Sequence, residues 1–396
     1  MQNTRTRAKA LSPFKVPTKI KVLHIIKSLG RGGAEKLLVE TLSRHDHSRF
    51  EFHYIYFLPW KNQLVDDLRI NGGTVTCYSA RSGFGIFLRL FSLIAYIRKH
   101  KVDVIHSHLP VAGIVARFAG FLTRTPVVYT EHNTWERYHR ITYFVNKFTF
   151  RLQKKVIAVS REVSNSIFKH YKASKPQIEV VRNGVNVHHF ERESNSESII
   201  RKLYNIADDA IVIGVSCVFR AQKRLDVWLE VASRLHKTFP DLHFIIVGDG
   251  VLRESIHRKA AALQTSSYVT FAGLQTDMKP YLEAMDMYMM TSEFEGLPVG
   301  LLEAMSMGCV PACTSAGGIG EIITDGENGA IVPVDQPHKL YDKICELILQ
   351  PEKMDSMKAA ARLTVVSQFD IDTMVRSIED IYRSSVQNTL TSWLGQ

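Results

Sequence analysis

Residues 291–321 read TSEFEGLPVGLLEAMSMGCVPACTSAGGIGE. The string opens at the end of a strand-like run, crosses a Gly/Pro loop, enters a helix and leaves through a small-residue strand into a Gly-Gly turn. In parallel sheets ligands bind beyond the carboxyl ends of strands, where loops and helix N-termini gather. Function is therefore sought here. Glu295 stands in the loop and Glu303 eight residues later in the helix. A carboxylate accepting two hydroxyls of one sugar ring makes charge-assisted hydrogen bonds of roughly 1.5–3 kcal/mol each, so two carboxylates can grip a ribose and a hexose together. Gly296, Val299 and Gly300 leave backbone amides near a helix start open to a phosphate charge. A capped helix with solvated glutamates explains either glutamate alone, but not the whole string.

Outward from this string, short β-branched runs alternate with amphipathic helical stretches. They fall at 20–26, 50–58, 102–108, 126–132 and 156–160, and after a polar stretch around 190–207 they restart at 211–216, 242–248, 268–273, 287–292 and 310–315. That rhythm predicts an α/β chain with two tandem Rossmann-like, doubly wound domains. The expected boundaries are 1–190 and 208–375, with a linker at 191–207 and a last helix over 376–396 able to pack back on the N-terminal domain.

At 396 residues and 45% hydrophobic content, each domain can bury its own core. Residues 1–190 hold 31 Lys and Arg against 11 Asp and Glu, while residues 191–396 hold 19 against 28, so the net charge of +11 hides a basic half and an acidic half. A basic half suits nucleic acid, anionic lipid headgroups or phosphorylated substrates. Solvated surface charge does not account for the segregation. Cys77, Cys217, Cys309, Cys313 and Cys345 lack metal-ligand spacing and read as reduced core thiols of a cytoplasmic protein. Pro13 and Pro17 lie in a basic N-terminus without the apolar segment of a secretory signal, and no apolar run reaches the length of a membrane span. Residues 84–99, FGIFLRLFSLIAYIRK, leave only Arg89, Ser92 and Lys99 as a polar stripe. Such a helix is buried on both sides or touches a membrane, and Arg98, Lys99 and Lys101 beside it suit lipid phosphates. Peripheral association with the inner, anionic face of the cell membrane is therefore an expectation alongside core packing.

Further constellations follow other strands. In 215–229, VSCVFRAQKRLDVWL, Arg220 and Lys223 sit in a loop before a helix and can neutralise a diphosphate leaving group. Two surface cations are the plainer alternative. In 26–35, IKSLGRGGAE, Gly32 and Gly33 form a strand-to-helix turn that suits phosphate or is simply tight. His132 ends the run YTEH, and His106 and His108 end IHSH; isolated histidines are more often structural than catalytic. Asn183 and Gly184 in VVRNGV, and Asp249 and Gly250 in VGDG, also make ordinary turns. Asp370-Ile371-Asp372 is helix-capping text, and no metal site is expected.

The run EGLPVGLLEAMSMGCVPACTSAGGIGEII resembles the retaining glycosyltransferases of family four, which share the two-domain GT-B fold and two glutamates with seven residues between them. The likeness spans nearly the whole chain and is strongest over 211–335. It implies a deep interdomain cleft, an N-terminal acceptor domain and a C-terminal domain for the nucleotide-sugar. It implies Glu303 on the nucleotide ribose, Glu295 on the transferred sugar, and the amides of Gly296, Leu297 and Val299 on sugar or diphosphate. It further implies Lys223 on the diphosphate, with Arg220 standing in for the arginine that the family places where this chain has Val218. His132 would contact the donor sugar, Gly32 and Gly33 donor phosphate and acceptor, and Asp249 and Gly250 the nucleotide side; His106, His108 and Asn183 are acceptor-side candidates. The implied reaction moves a hexosyl unit, with retention, from a UDP- or GDP-sugar to a glycan or lipid-diphosphate-linked acceptor in surface polysaccharide assembly, without a metal or other cofactor. A sugar-nucleotide 2-epimerase of the same architecture is the enzymatic alternative. A nucleic-acid-binding protein is the non-enzymatic one, disfavoured because basic motifs interleaved with aromatics are lacking.

Overall fold

The computed structural model describes residues 19–193 and 198–394. Pro13, Pro17 and part of the expected linker lie outside the described residues. Seven strands make the first sheet: β1 (Ile20–Ile25), β2 (Phe50–Tyr56), β3 (Thr74–Cys77), β4 (Val104–His108), β5 (Val127–Glu131), β6 (Lys155–Ala158) and β7 (Gln177–Val180). Six make the second: β8 (Val212–Ser216), β9 (His243–Val247), β10 (Val269–Gly273), β11 (Met287–Met290), β12 (Val310–Thr314) and β13 (Ala330–Val332). The orders are β3-β2-β1-β4-β5-β6-β7 and β10-β9-β8-β11-β12-β13, and all pairings are parallel. Each order reverses once, after β1 and after β8, which is the doubly wound pattern.

Central strands such as β9 (HFIIV) are nearly all apolar because helices cover both faces. The strands β3, β7 and β13 were not read from the sequence. All three lie at sheet edges; TVTC and QIEV carry no continuous apolar signal, and AIV is only three residues long.

The helices that position the site and its surroundings are α1 (Gly33–Leu42), α2 (Gly83–Phe87), α3 (Leu90–His100), α4 (Pro110–Thr123), α5 (Arg140–Thr149), α6 (Leu225–Thr238), α7 (Val299–Ser306), α8 (Pro351–Gln368) and α9 (Ile371–Leu394). The single helix expected over 84–99 is two, α2 and α3. Its Leu90, Leu93, Ile94 and Ile97 pack on the sheet, whereas Phe84, Leu88 and Phe91 are exposed. Helices α1 and α9 cover the opposite face of the first sheet; Ile371, Met374, Ile378 and Tyr382 share a core with Val22, Phe52 and Val128. The last helix thus begins at Ile371 and belongs to the N-terminal domain. Within the described part of the expected linker, Ile200 and Ile206 are buried in the core of the second domain.

The chain crosses between domains twice, side by side. The Val185 amide donates to the Phe369 carbonyl (2.8 Å) and the Ile371 amide to the Val185 carbonyl (3.1 Å). A Cβ at Gly184 would lie 2.6 Å from the Ile371 Cα, so this close approach needs glycine. Of the five free cysteines, Cys309 and Cys313 are buried in the core, and the half-buried Cys77, Cys217 and Cys345 pack against it.

Candidate active site

A cleft of about 910 Å³ runs between the two domains. Its C-terminal wall is made by loops after β8 and β11, the neighbouring strands at which the second sheet reverses its order. The Thr291 hydroxyl donates to the carbonyls of Lys223 (3.1 Å) and Arg224 (2.9 Å), which fastens one loop to the other. The Lys223 ammonium donates to Glu295 Oε1 at 2.5 Å. Burial draws the Lys223 pKa down, but the Glu295 carboxylate outweighs it and the net shift is upward, so the ammonium stays charged. Arg220 is exposed on the same wall. Beyond Glu295, Gly296, Leu297, Val299 and Gly300 line the cleft where α7 begins, and the second turn of α7 carries Glu303, 3% exposed.

The N-terminal wall carries Gly32, Gly33, Glu35 and Lys36 at the start of α1, together with Lys27, Arg31 and Lys61. The Lys36 ammonium reaches across to Glu303 Oε1 at 2.6 Å and lies 3.6 Å from Glu40. Burial pulls the Lys36 pKa down, and the two carboxylates more than reverse that. Burial pushes Glu40 up to about 7, opposed by Lys36 and reinforced by the Glu303 charge. Burial also raises the Glu35 carboxyl, against the hydroxyl of Ser28 and the charge of Arg220 facing it from the other domain.

His132 lines the cleft at the end of β5, and burial holds its imidazole down at about 4, so it is neutral at pH 7. A Cβ at Gly296 would lie 2.1 Å from the His132 carbonyl oxygen. The Gly296 backbone packs there closely against the His132 carbonyl.

Several residues singled out in the sequence lie elsewhere. His106 and His108 are not on the cleft wall, which corrects their acceptor-side reading. They belong to a closed cluster behind it, with His24 Nδ1 3.1 Å from His108 Nε2, His106 Nδ1 2.6 Å from the Tyr382 hydroxyl and His106 Nε2 2.7 Å from Thr130 Oγ1. His108 Nδ1 lies 3.4 Å from His132 Nε2, so the cluster backs the cleft histidine. Burial lowers all of these, His106 to about 3. Nitrogens of His24, His106 and His108 approach within 4.8 Å, near enough to share a metal, but each already faces a polar partner and the His24 and His108 rings are stacked. The cluster is a hydrogen-bonded support.

Asn183, by contrast, does line the cleft, and there its side-chain amide donates to the Leu297 carbonyl (2.8 Å) and ties the domains together. Asp249 lines the cleft, but Gly250 sits behind it, packed on the Phe219 backbone. Sequence reasoning missed Lys36, Lys27, Arg31 and Lys61. A cation just past GGAE was the one available signal for Lys36, and its partner Glu303 is 267 positions away.

Two facing Rossmann-like domains, with paired carboxylates and half-buried lysines converging on the cleft between them, define a glycosyltransferase of the GT-B class. More narrowly, the chain belongs to the family 4, group 1 glycosyltransferases. Residues 31–189 match "Glycosyltransferase Family 4" and residues 176–364 match "Glycosyl transferases group 1". It is 22% identical to the UDP-Gal:alpha-D-GlcNAc-diphosphoundecaprenol alpha-1,3-galactosyltransferase of Escherichia coli, covering 94% of this chain and 98% of that one. It is 26% identical to the N-acetyl-alpha-D-glucosaminyl L-malate synthase of Bacillus anthracis, over 89% and 93% of the two chains. Among solved structures, Anabaena HepE in complex with UDP and glucose superposes with a TM-score of 0.82 at 21% identity, covering 92% of this chain and all of that one. Among the described residues no helix is long and apolar enough to cross a membrane.

Proposed function

We propose that this glycosyltransferase moves a hexosyl unit, with retention at the anomeric carbon, from a UDP- or GDP-sugar to a hydroxyl of a lipid-diphosphate-linked or oligosaccharide acceptor in surface polysaccharide assembly. The observation that carries this reading is the Lys223–Glu295 pair beside the start of α7, with Glu303 about one helical turn further along on the same cleft. Glu303 accepts the ribose hydroxyls, exchanging its Lys36 partner for them. Glu295 accepts hydroxyls of the transferred sugar and remains tethered to Lys223. The other protons of that ammonium, with Arg220 and the first-turn amides of α7, meet the leaving diphosphate; preorganised charge of this kind is worth a factor of about 10² to 10³ in rate. Neutral His132 contacts the donor sugar without competing for the diphosphate. The acceptor hydroxyl attacks the face that the diphosphate leaves, its proton passes to the departing phosphate oxygen, and neither a side-chain nucleophile nor a metal has a step. Lys27, Arg31 and Lys61 on the opposite wall suit an anionic acceptor, and the Escherichia coli relative is named for one.

The test is a screen of UDP- and GDP-sugars, with and without membrane extract as acceptor, that measures released nucleoside diphosphate. Acceptor-dependent release from one donor is the expected result. Isomerised donor without acceptor would mark an epimerase, and no turnover or nucleotide binding with any donor would overturn the proposal.

A further inference from the structure

Helix α5 is turned the opposite way from an ordinary surface helix. Its polar Asn146 and Thr149 face inward, where the fully buried Arg117 guanidinium donates to Asn146 Oδ1 (2.8 Å), Thr149 Oγ1 (3.0 Å) and Gln153 Oε1 (2.7 Å). A buried guanidinium needs those acceptors, so the helix cannot roll over without stranding a charge. The consequence is that Ile141, Phe144, Val145 and Phe148, spaced i, i+3, i+4 and i+7, form an apolar stripe in solvent, with Phe148 75% exposed.

The neighbouring helices extend that stripe. Helix α4 packs between α5 and α3, and an edge contact of Phe87 on Phe118 (5.8 Å) joins α2 to it. Phe121 and Leu122 of α4 are exposed, as are Phe84, Leu88 and Phe91 of the α2–α3 pair, Phe91 to 80%. All lie on the one helical layer that covers the sheet face opposite α1 and α9. The charge around them has one sign. Residues 78–102, 104–130 and 137–161 contain no Asp or Glu, and exposed Arg140, Lys147 and Arg151 flank the α5 stripe while Arg81, Arg89 and Arg98 flank the α2–α3 group.

We infer that this layer docks on an anionic phospholipid bilayer, its aromatic and aliphatic side chains entering the headgroup boundary and its cations pairing with lipid phosphates. A broad apolar patch marks an interaction surface. A rim of cations with no carboxylate among them complements a surface that is negative above and apolar beneath. The inference goes beyond the proposed reaction and does not rest on it, because it concerns a face away from the cleft.

The test uses the full chain without substrates, in flotation with vesicles of phosphatidylcholine alone or equimolar phosphatidylcholine and phosphatidylglycerol. Binding should be at least about tenfold stronger to the anionic vesicles. Phe144→Ser with Phe148→Ser, and separately Arg140→Ala with Lys147→Ala, should each lower it by about tenfold, while melting temperature and nucleotide binding stay unchanged. No binding by the unmodified chain, or undiminished binding by both variants, overturns the inference. So does a dimer in sedimentation velocity that the phenylalanine variant abolishes while vesicle binding is absent, for the patch would then be covered by a second copy.

Discussion

Glu295 and Glu303 each meet a lysine, and the two pairs differ in what they ask of the chain. Lys223 and Glu295 come from adjacent loops of one domain, so their meeting survives any movement between domains. Lys36 and Glu303 come from different domains, so that pair holds the walls together until another group takes the Glu303 carboxylate. Glu303→Ala and Lys223→Ala are each expected to lower kcat/KM for transfer by at least about tenfold, roughly 1.4 kcal/mol of transition-state stabilisation. Steady-state kinetics checks this, and near-normal rates in both variants would remove the site assignment. Glu295, Glu303 and Lys223 were legible in the sequence because a loop and the helix start after it are local. His106 was misread because a polar residue at a strand end looks the same whether the next layer is solvent or, as here, Tyr382 from the far end of the chain.

At the scale of elements, the meeting of the α7 loop with the end of β5 is a backbone-to-backbone contact. A side chain at Gly296 would collide with the His132 carbonyl, whereas a Cβ at Gly33 meets nothing within 4 Å. Gly296→Val should therefore force the loop away from β5, costing about 1–3 kcal/mol by overpacking and lowering transfer by at least about tenfold. Gly33→Ala should leave the melting temperature nearly unchanged. Thermal unfolding of both variants, with transfer rates for the first, decides the point. The glycines were visible in the sequence, but nothing there distinguishes one needed for close approach from one that merely permits a turn. Helix α5 gives the same lesson from the other side: an apolar spacing such as that of Ile141, Phe144, Val145 and Phe148 ordinarily faces a core, yet the buried acceptors for Arg117 decided that it faces outward.

For the molecule as a whole, the first domain is closed by α9, whose Tyr382 and Glu379 reach the histidine-rich face of the sheet at His106 and His45. This makes stability sensitive to acid. His106 is held to about 3 by burial, while an unfolded chain takes up its proton near 6.5, so the unfolded state binds the extra proton throughout that interval. Stability from this group is complete above about pH 6.5 and is lost as the pH falls toward 3. The stability difference between the natural chain and His106→Gln should therefore shrink by about 2.5 kcal/mol between pH 7 and 4.5. Denaturant unfolding at the two pH values measures it, and a constant difference would show that the imidazole is not kept neutral. What the sequence alone determined is the two-domain α/β rhythm and the loop-to-helix string at 291–321, because periodicity and turn chemistry act between residues a few positions apart. The tertiary structure alone decided the Lys36–Glu303 bridge, the closed histidine cluster, the return of α9 to the first domain and the outward face of α5. Each depends on a polar group finding its partner far along the chain, and neither partner's local sequence specifies that meeting.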